Sequence, residues 1–134
     1  MEIKTRAQQY AASAYDQVAP MAETWGSDDP QRKQYGSMAF KLPVLIRTAG
    51  LAQALAFVQA RGKEPAQKLL HHIANTLGEG DAAALAARSR TENLSEYMQL
   101  TQKVLAVTIW YKRFAQSLLG YEPGNDDDNR GART

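Results

Sequence analysis

Residues able to do chemistry are few in this chain of 134 residues. His71 and His72 are its two histidines, and neighbours on a helix diverge by about 100°, so they cannot chelate one ion together. A metal centre in a helical bundle needs histidines four apart or a Glu-x-x-His unit, and neither spacing occurs. The pair reads as surface histidines. No Gly-x-Ser-x-Gly elbow presents a serine nucleophile, and no glycine-rich loop with its lysine is available to cradle phosphates. Gly78-Glu79-Gly80-Asp81 lacks that lysine and a preceding strand, and reads as a link between helices. Asp28-Asp29 suits a helix cap, and Asp126-Asp127-Asp128 a solvated tail. With no cysteine there is no disulfide, thiolate ligand or thiol nucleophile. The chain reads as a non-enzyme without cofactor or metal.

What remains is positive charge. The net charge of +2 is unevenly spread, because residues 121–134 are acidic and residues 1–120 carry a surplus of bases. Between Asp29 and Glu64 lie Arg32, Lys33, Lys41, Arg47, Arg61 and Lys63 with no acid among them. Between Glu96 and Glu122 lie Lys103, Lys112 and Arg113, again with none. Lys and Arg bind phosphate backbones through charge and counterion release, without a fixed sequence pattern. Lys112 and Arg113 sit beside Trp110, Tyr111 and Phe114, and Lys41 sits at a proline. A solvated face also produces such runs, and the three aromatics read as core before stacking platforms.

These residues need elements to position them. Alanine and leucine are plentiful while valine and isoleucine are few, a bias toward helix. Ile3, Ala7, Tyr10, Ala11, Ala14, Val18, Ala22 and Trp25 recur at helical spacing, which predicts one long first helix ending at Gly26. Pro20 should kink or loosen its last turns. Asp29-Pro30 starts a second helix, expected to break near Lys41-Leu42-Pro43, resume through Ile46 and bend at Gly50. Leu51, Leu55 and Val58 form its buried side, and Gly62 closes it. Glu64-Pro65 opens a helix that Gly78 ends, and Asp81 caps a short one to about Arg88. Asn93 with Glu96 resembles a capping box for the last helix, which is apolar nearly all round from Val104 to Tyr111.

The expected fold is therefore all-α. Residues 1–120 form a single-domain bundle of five to six helices, with a long N-terminal helix and a buried C-terminal one. Residues 121–134 are expected to be a flexible acidic tail. The N-terminus lacks the apolar core of a signal peptide, and no run approaches the roughly 18 apolar residues that span a bilayer. A cytoplasmic protein is expected.

Four blocks then carry a resemblance. Lys41-Leu42-Pro43-x-Leu45-Ile46, Gly50-Leu51-x-x-Ala54-Leu55-Ala56-Phe57, Tyr97-x-x-Leu100-Thr101 and Trp110-x-Lys112-Arg113-Phe114-Ala115 occur in that order. Together they resemble the small subunit of Cmr-type (type III-B) CRISPR effector complexes, over about Ile3 to Leu119. The resemblance implies a non-catalytic helical protein in a crRNA-guided antiviral ribonucleoprotein that targets foreign RNA. Copies of it would stack beside the backbone subunit and the polymerase-like large subunit, lining a basic channel. Cleavage would belong to the backbone subunit. Expected partners are those subunits, further copies of itself, and crRNA or target RNA; no membrane or small-molecule substrate is expected, and the free protein would be monomeric.

By that resemblance Lys41, Lys112 and Arg113 lie in matching motifs and are candidate RNA-backbone contacts. Arg47 lies inside a matching block at an unmatched place, while Arg6 and Arg61 rest on charge alone. Two other readings stay open. One is a purely protein–protein adaptor whose basic patch meets acidic subunits, and the other is a helical-bundle hydrolase or metalloenzyme carrying bound metal.

Overall fold

Six helices account for most of residues 3–124, the part of the chain that the computed structural model describes. They are α1 (Arg6–Thr24), α2 (Pro30–Ala49), α3 (Leu51–Arg61), α4 (Glu64–Leu77), α5 (Ala82–Thr91) and α6 (Leu94–Leu119). Among the described residues there is no strand. The all-α expectation holds.

Short polar side chains set the starts of α1, α2, α5 and α6, because each accepts from an N–H that the first turn leaves without a partner. Asp29 accepts from Gln31 N at 2.9 Å, Asp81 from Ala84 N at 2.8 Å and Asn93 from Glu96 N at 2.9 Å. The start of α1 differs from expectation. Thr5 and Gln8 form a reciprocal capping box, with Gln8 N donating to Thr5 Oγ1 at 3.0 Å and Thr5 N to Gln8 Oε1 at 2.8 Å. Ile3 therefore precedes the helix and is 93% exposed, and the covered stripe of α1 begins only at Tyr10. α1 continues through Pro20, and α5 runs on to Thr91.

Pro43 does not break α2. An internal proline forfeits a hydrogen bond and crowds the preceding turn, at about 3 kcal/mol. Burial of Tyr35, Ala39, Leu42, Pro43 and Ile46 in a helix that packs on α4 and α6 offsets that cost, since each large side chain contributes about 1.5–3 kcal/mol. The chain turns instead at Gly50, whose φ of 90° and ψ of 157° suit glycine and little else. Its N–H still donates to Ile46 O at 2.8 Å, and α3 begins at the next residue. A Cβ added there would also sit 3.3 Å from Tyr97 Oη, which accepts from Ala52 N. Gly50→Ala is expected to cost about 1–3 kcal/mol. Urea unfolding tests this, and an unchanged midpoint would show that Gly50 is not held in this conformation.

α6 packs against α1, α2 and α4. Leu100, Val104, Val107, Thr108, Tyr111, Ala115 and Leu119 face inward, whereas Ala106 and Ile109 face out, so burial between Val104 and Tyr111 covers one side only. Beyond Gly120, Tyr121 is buried and its N–H donates to Ala115 O at 3.0 Å. The flexible-tail expectation falls largely on residues 125–134, which lie outside the described residues. Among the described residues no helix is long and apolar enough to cross a membrane.

Candidate nucleic-acid interface

Because α2 is continuous through Pro43, it holds several bases on one side. Lys33, Lys41, Val44 and Arg47 are all exposed. At 100° per residue they fall within an arc of about 120°, spread along about 20 Å of helix axis. No acid occurs anywhere in α2. Lys33 was not singled out by sequence; its signal was the spacing that puts it on the same side as Phe40 and Val44.

α6 continues this surface. Lys112 lays its ammonium over the Phe40 ring of α2, 5.0 Å from the centroid, and Arg113 lies 5.0 Å from the ring centre of Trp110 on its own helix. In both cases the cation itself lies over an aromatic ring, a cation–π arrangement. Arg113 also lines a cleft of about 330 Å³ with Arg6, Ala7, Tyr10, Ile109 and Trp110, between α1 and α6. After Glu96, α6 carries no further acid. The structure thus brings Lys112 to Phe40, the residue before Lys41 on α2, and sets Arg113 and Arg6 on one cleft. Trp110 and Phe114 are half-buried supports, and Tyr111 alone of the three aromatics is fully internal.

Arg61 lies on another helix, α3. It is exposed in the last turn of α3, where a cation complements the helix dipole. Arg32 lies in the same run of bases but has a structural task. Its guanidinium donates to Trp25 O at 3.1 Å just past α1, and to Leu119 O at 3.0 Å and Leu118 O at 3.3 Å, carbonyls that the end of α6 leaves without partners. Among the described residues the ion pairs join Arg88 to Glu79 and Glu92, so none of the six candidate bases is held by a carboxylate.

The other concentration of polar groups is internal. His72 is buried rather than on the surface, and only His71 is exposed. The reason is position: His72 follows Leu69 by one turn and precedes Ile73 on the packed side of α4. Its Nδ1 lies 2.7 Å from Tyr35 Oη. With the imidazole neutral and its proton on Nε2, the hydroxyl donates to Nδ1. Burial pushes the His72 pKa down to about 4, and Lys68 and His71 add to the effect. Burial also raises Tyr35 well above the usual phenol value and Tyr111 to about 12. Tyr111 Oη donates to His72 O at 2.9 Å, and Gln17 Nε2 donates to both His72 O at 2.7 Å and Tyr111 Oη at 3.1 Å. These bonds knit α1, α4 and α6 together with every member supplied. Among the described residues no three His, Asp or Glu side chains are grouped to hold a metal ion.

The comparison with known proteins fits this arrangement. A family model for the CRISPR-associated protein Cas_Cmr5 matches residues 6–118, which take in the six helices up to the last residue of α6 and every base discussed above. The chain belongs to the Cmr5 family. The Cmr subunit Cmr5 of a CRISPR system in Thermus thermophilus is 46% identical over 117 residues, covering 87% of this chain and 98% of that protein. The X-ray crystal structure of a CRISPR-associated Cmr5 family protein from the same organism superposes with a TM-score of 0.78 at 44% identity. It covers 87% of this chain and 99% of that one. The resemblance read from the four sequence blocks is confirmed at the level of the Cmr5 family.

Proposed function

We propose that this chain is a non-catalytic subunit of a Cmr-type CRISPR effector complex, with its α2–α6 side facing the RNA backbone. The name of the Thermus relative supports membership of that assembly. The observation that carries the RNA reading is the absence of acids from α2 and from α6 beyond Glu96, whose Lys41, Lys112 and Arg113 are free of ion pairs among the described residues. Such a surface neutralises phosphates whatever the base sequence, as a scaffold for guide–target RNA in antiviral defence requires. The setting would be the cytoplasm, and cleavage would lie with other subunits. Alone, the protein binds RNA weakly, because a few exposed cations are screened at physiological salt.

The test is RNA binding by the reconstituted complex carrying Lys41→Glu, Lys112→Glu and Arg113→Glu. Affinity is expected to fall at least about tenfold, and the salt dependence to flatten by about two to three in log–log slope. Unchanged affinity and slope would remove these residues from the RNA path.

One observation favours a second reading for part of this surface. Leu94 is 73% and Met98 58% exposed, and with Ile109 they fall on one side of α6 over about 22 Å. Exposed apolar residues in a row mark a protein contact. If the whole surface were an adaptor face, the same charge reversals would eject the chain from the complex, which co-purification detects.

A further inference from the structure

Where α1 and α6 pack side by side, small side chains leave a gap between them. Ala7 of α1 and Ala106 of α6 both line the resulting cleft of about 330 Å³. Clefts that hold small ligands run from about 300 to 1,000 Å³, so this one suits a single small group. Ala106, Ile109 and Arg113 recur at three and four residues, so one side of α6 presents them together. Arg6 is the first residue of α1, and the capping box of Thr5 and Gln8 fixes where that helix begins. Tyr10 and Trp110 are half-buried, so each keeps part of its ring open. The Trp110 ring is braced: Phe114 stacks on it at 6.0 Å, and Tyr15 meets Phe114 edge-on at 5.5 Å. Arg113 lies over the same tryptophan at 5.0 Å. The cleft thus joins aromatic and aliphatic walls to two guanidinium groups, and among the described residues no carboxylate lines it.

We infer that this cleft takes one unpaired base of RNA, with Arg6 and Arg113 on the phosphates next to it. A nucleotide is a flat, largely apolar ring carried on an anionic chain, and the lining matches it on both counts. Unpaired bases are bound by stacking on aromatic rings and on guanidinium planes. Trp110 with Arg113 supplies both in one place. An aliphatic side chain of a protein would fill the apolar part yet bring no charge to the two arginines. Base capture rests on the RNA reading above and adds to it. Phosphate contacts alone position any strand, whereas this cleft admits only a nucleotide that is not paired. It also gives Tyr10, Ile109 and Trp110 a task that charge does not.

Two strands of equal charge test this with the full chain at low salt, where exposed cations are least screened. One is a short oligouridylate, the other an abasic ribose–phosphate strand of the same length. Trp25 is buried, so Trp110 is the tryptophan that reports on a stacked base. The uridylate is expected to quench Trp110 fluorescence and to bind at least about fivefold tighter than the abasic strand. Ala106→Leu fills the cleft from an exposed position on α6 and leaves every charge and ring in place. It should abolish the quench and bring the uridylate down to the abasic affinity, with abasic binding unchanged. Arg113→Glu should weaken both strands. Equal affinities for the two strands, or equal quenching by both, overturn base capture, and a loss of both on Arg113→Glu then leaves the RNA reading standing. Strands that ignore Arg113→Glu overturn base capture and the place of Arg113 on the RNA path together. Ejection of the Ala106→Leu chain from the reconstituted complex, with both strands bound as by the parent, assigns the cleft to a protein partner and also overturns the proposal.

Discussion

Tyr111→Ala lowers the free energy of unfolding by about 4 kcal/mol, within the range for truncating a buried aromatic. The ring has no exposed surface. Its hydroxyl lies 2.8 Å from Thr76 Oγ1, donates to His72 O at 2.9 Å and accepts from Gln17 Nε2 at 3.1 Å. Truncation therefore opens a cavity and unties α1, α4 and α6 at one point. Tyr111→Phe separates the two effects by keeping the ring. Gln17 still reaches His72 O at 2.7 Å, and Thr76 still meets Ser13 at 2.8 Å. Few groups are left without partners, so the expected loss is only about 1–2 kcal/mol. Urea unfolding followed by circular dichroism measures both variants. Equal losses would place the stabilisation in the hydroxyl rather than the packed ring, contrary to expectation.

Acidification removes about 3 kcal/mol through His72 as the pH falls from 6.5 to about 4. The direction follows from where the proton binds more readily. Burial, helped by Lys68 and His71, lowers the folded-state pKa from 6.5 to about 4. The unfolded chain takes up the proton first, so unfolding is favoured increasingly across that window. The His72 contribution is whole above pH 6.5 and lost below about pH 4. Carboxylates also titrate near the lower end, so the measurement is a difference. His72→Gln keeps a polar side chain without the titration, and its stability should fall less steeply with acid than that of the parent. Superimposable pH profiles would sink the assignment.

Much of the fold was legible because capping is local. Asp29, Asp81 and Asn93 each accept from an N–H two or three residues away, so nothing distant decides the outcome. Pro43 shows where local rules stop. Its cost in the helix is real, but the buried side chains of α2 outweigh it, and no window around Pro43 reveals what α2 packs against. His72 is a nearer miss, since its spacing from Leu69 and Ile73 already placed it on the apolar side of α4. The basic surface was legible as charge but not as geometry. Lys33 and Arg32 are adjacent and alike in sequence, yet one faces solvent and the other serves carbonyls of residues 118 and 119.

By itself the sequence determined the helical class, the starts of α2, α4, α5 and α6, and the two stretches without acid. Those features depend on side-chain entropy, on hydrogen bonds within one turn and on composition. Tertiary structure alone decided which bases are free, that α2 passes through Pro43, and that Gln17, His72 and Tyr111 meet. The physical reason is distance along the chain. Gln17 and Tyr111 are 94 residues apart and Arg32 and Leu119 are 87 apart, and such pairs form only once each helix has chosen the side it buries.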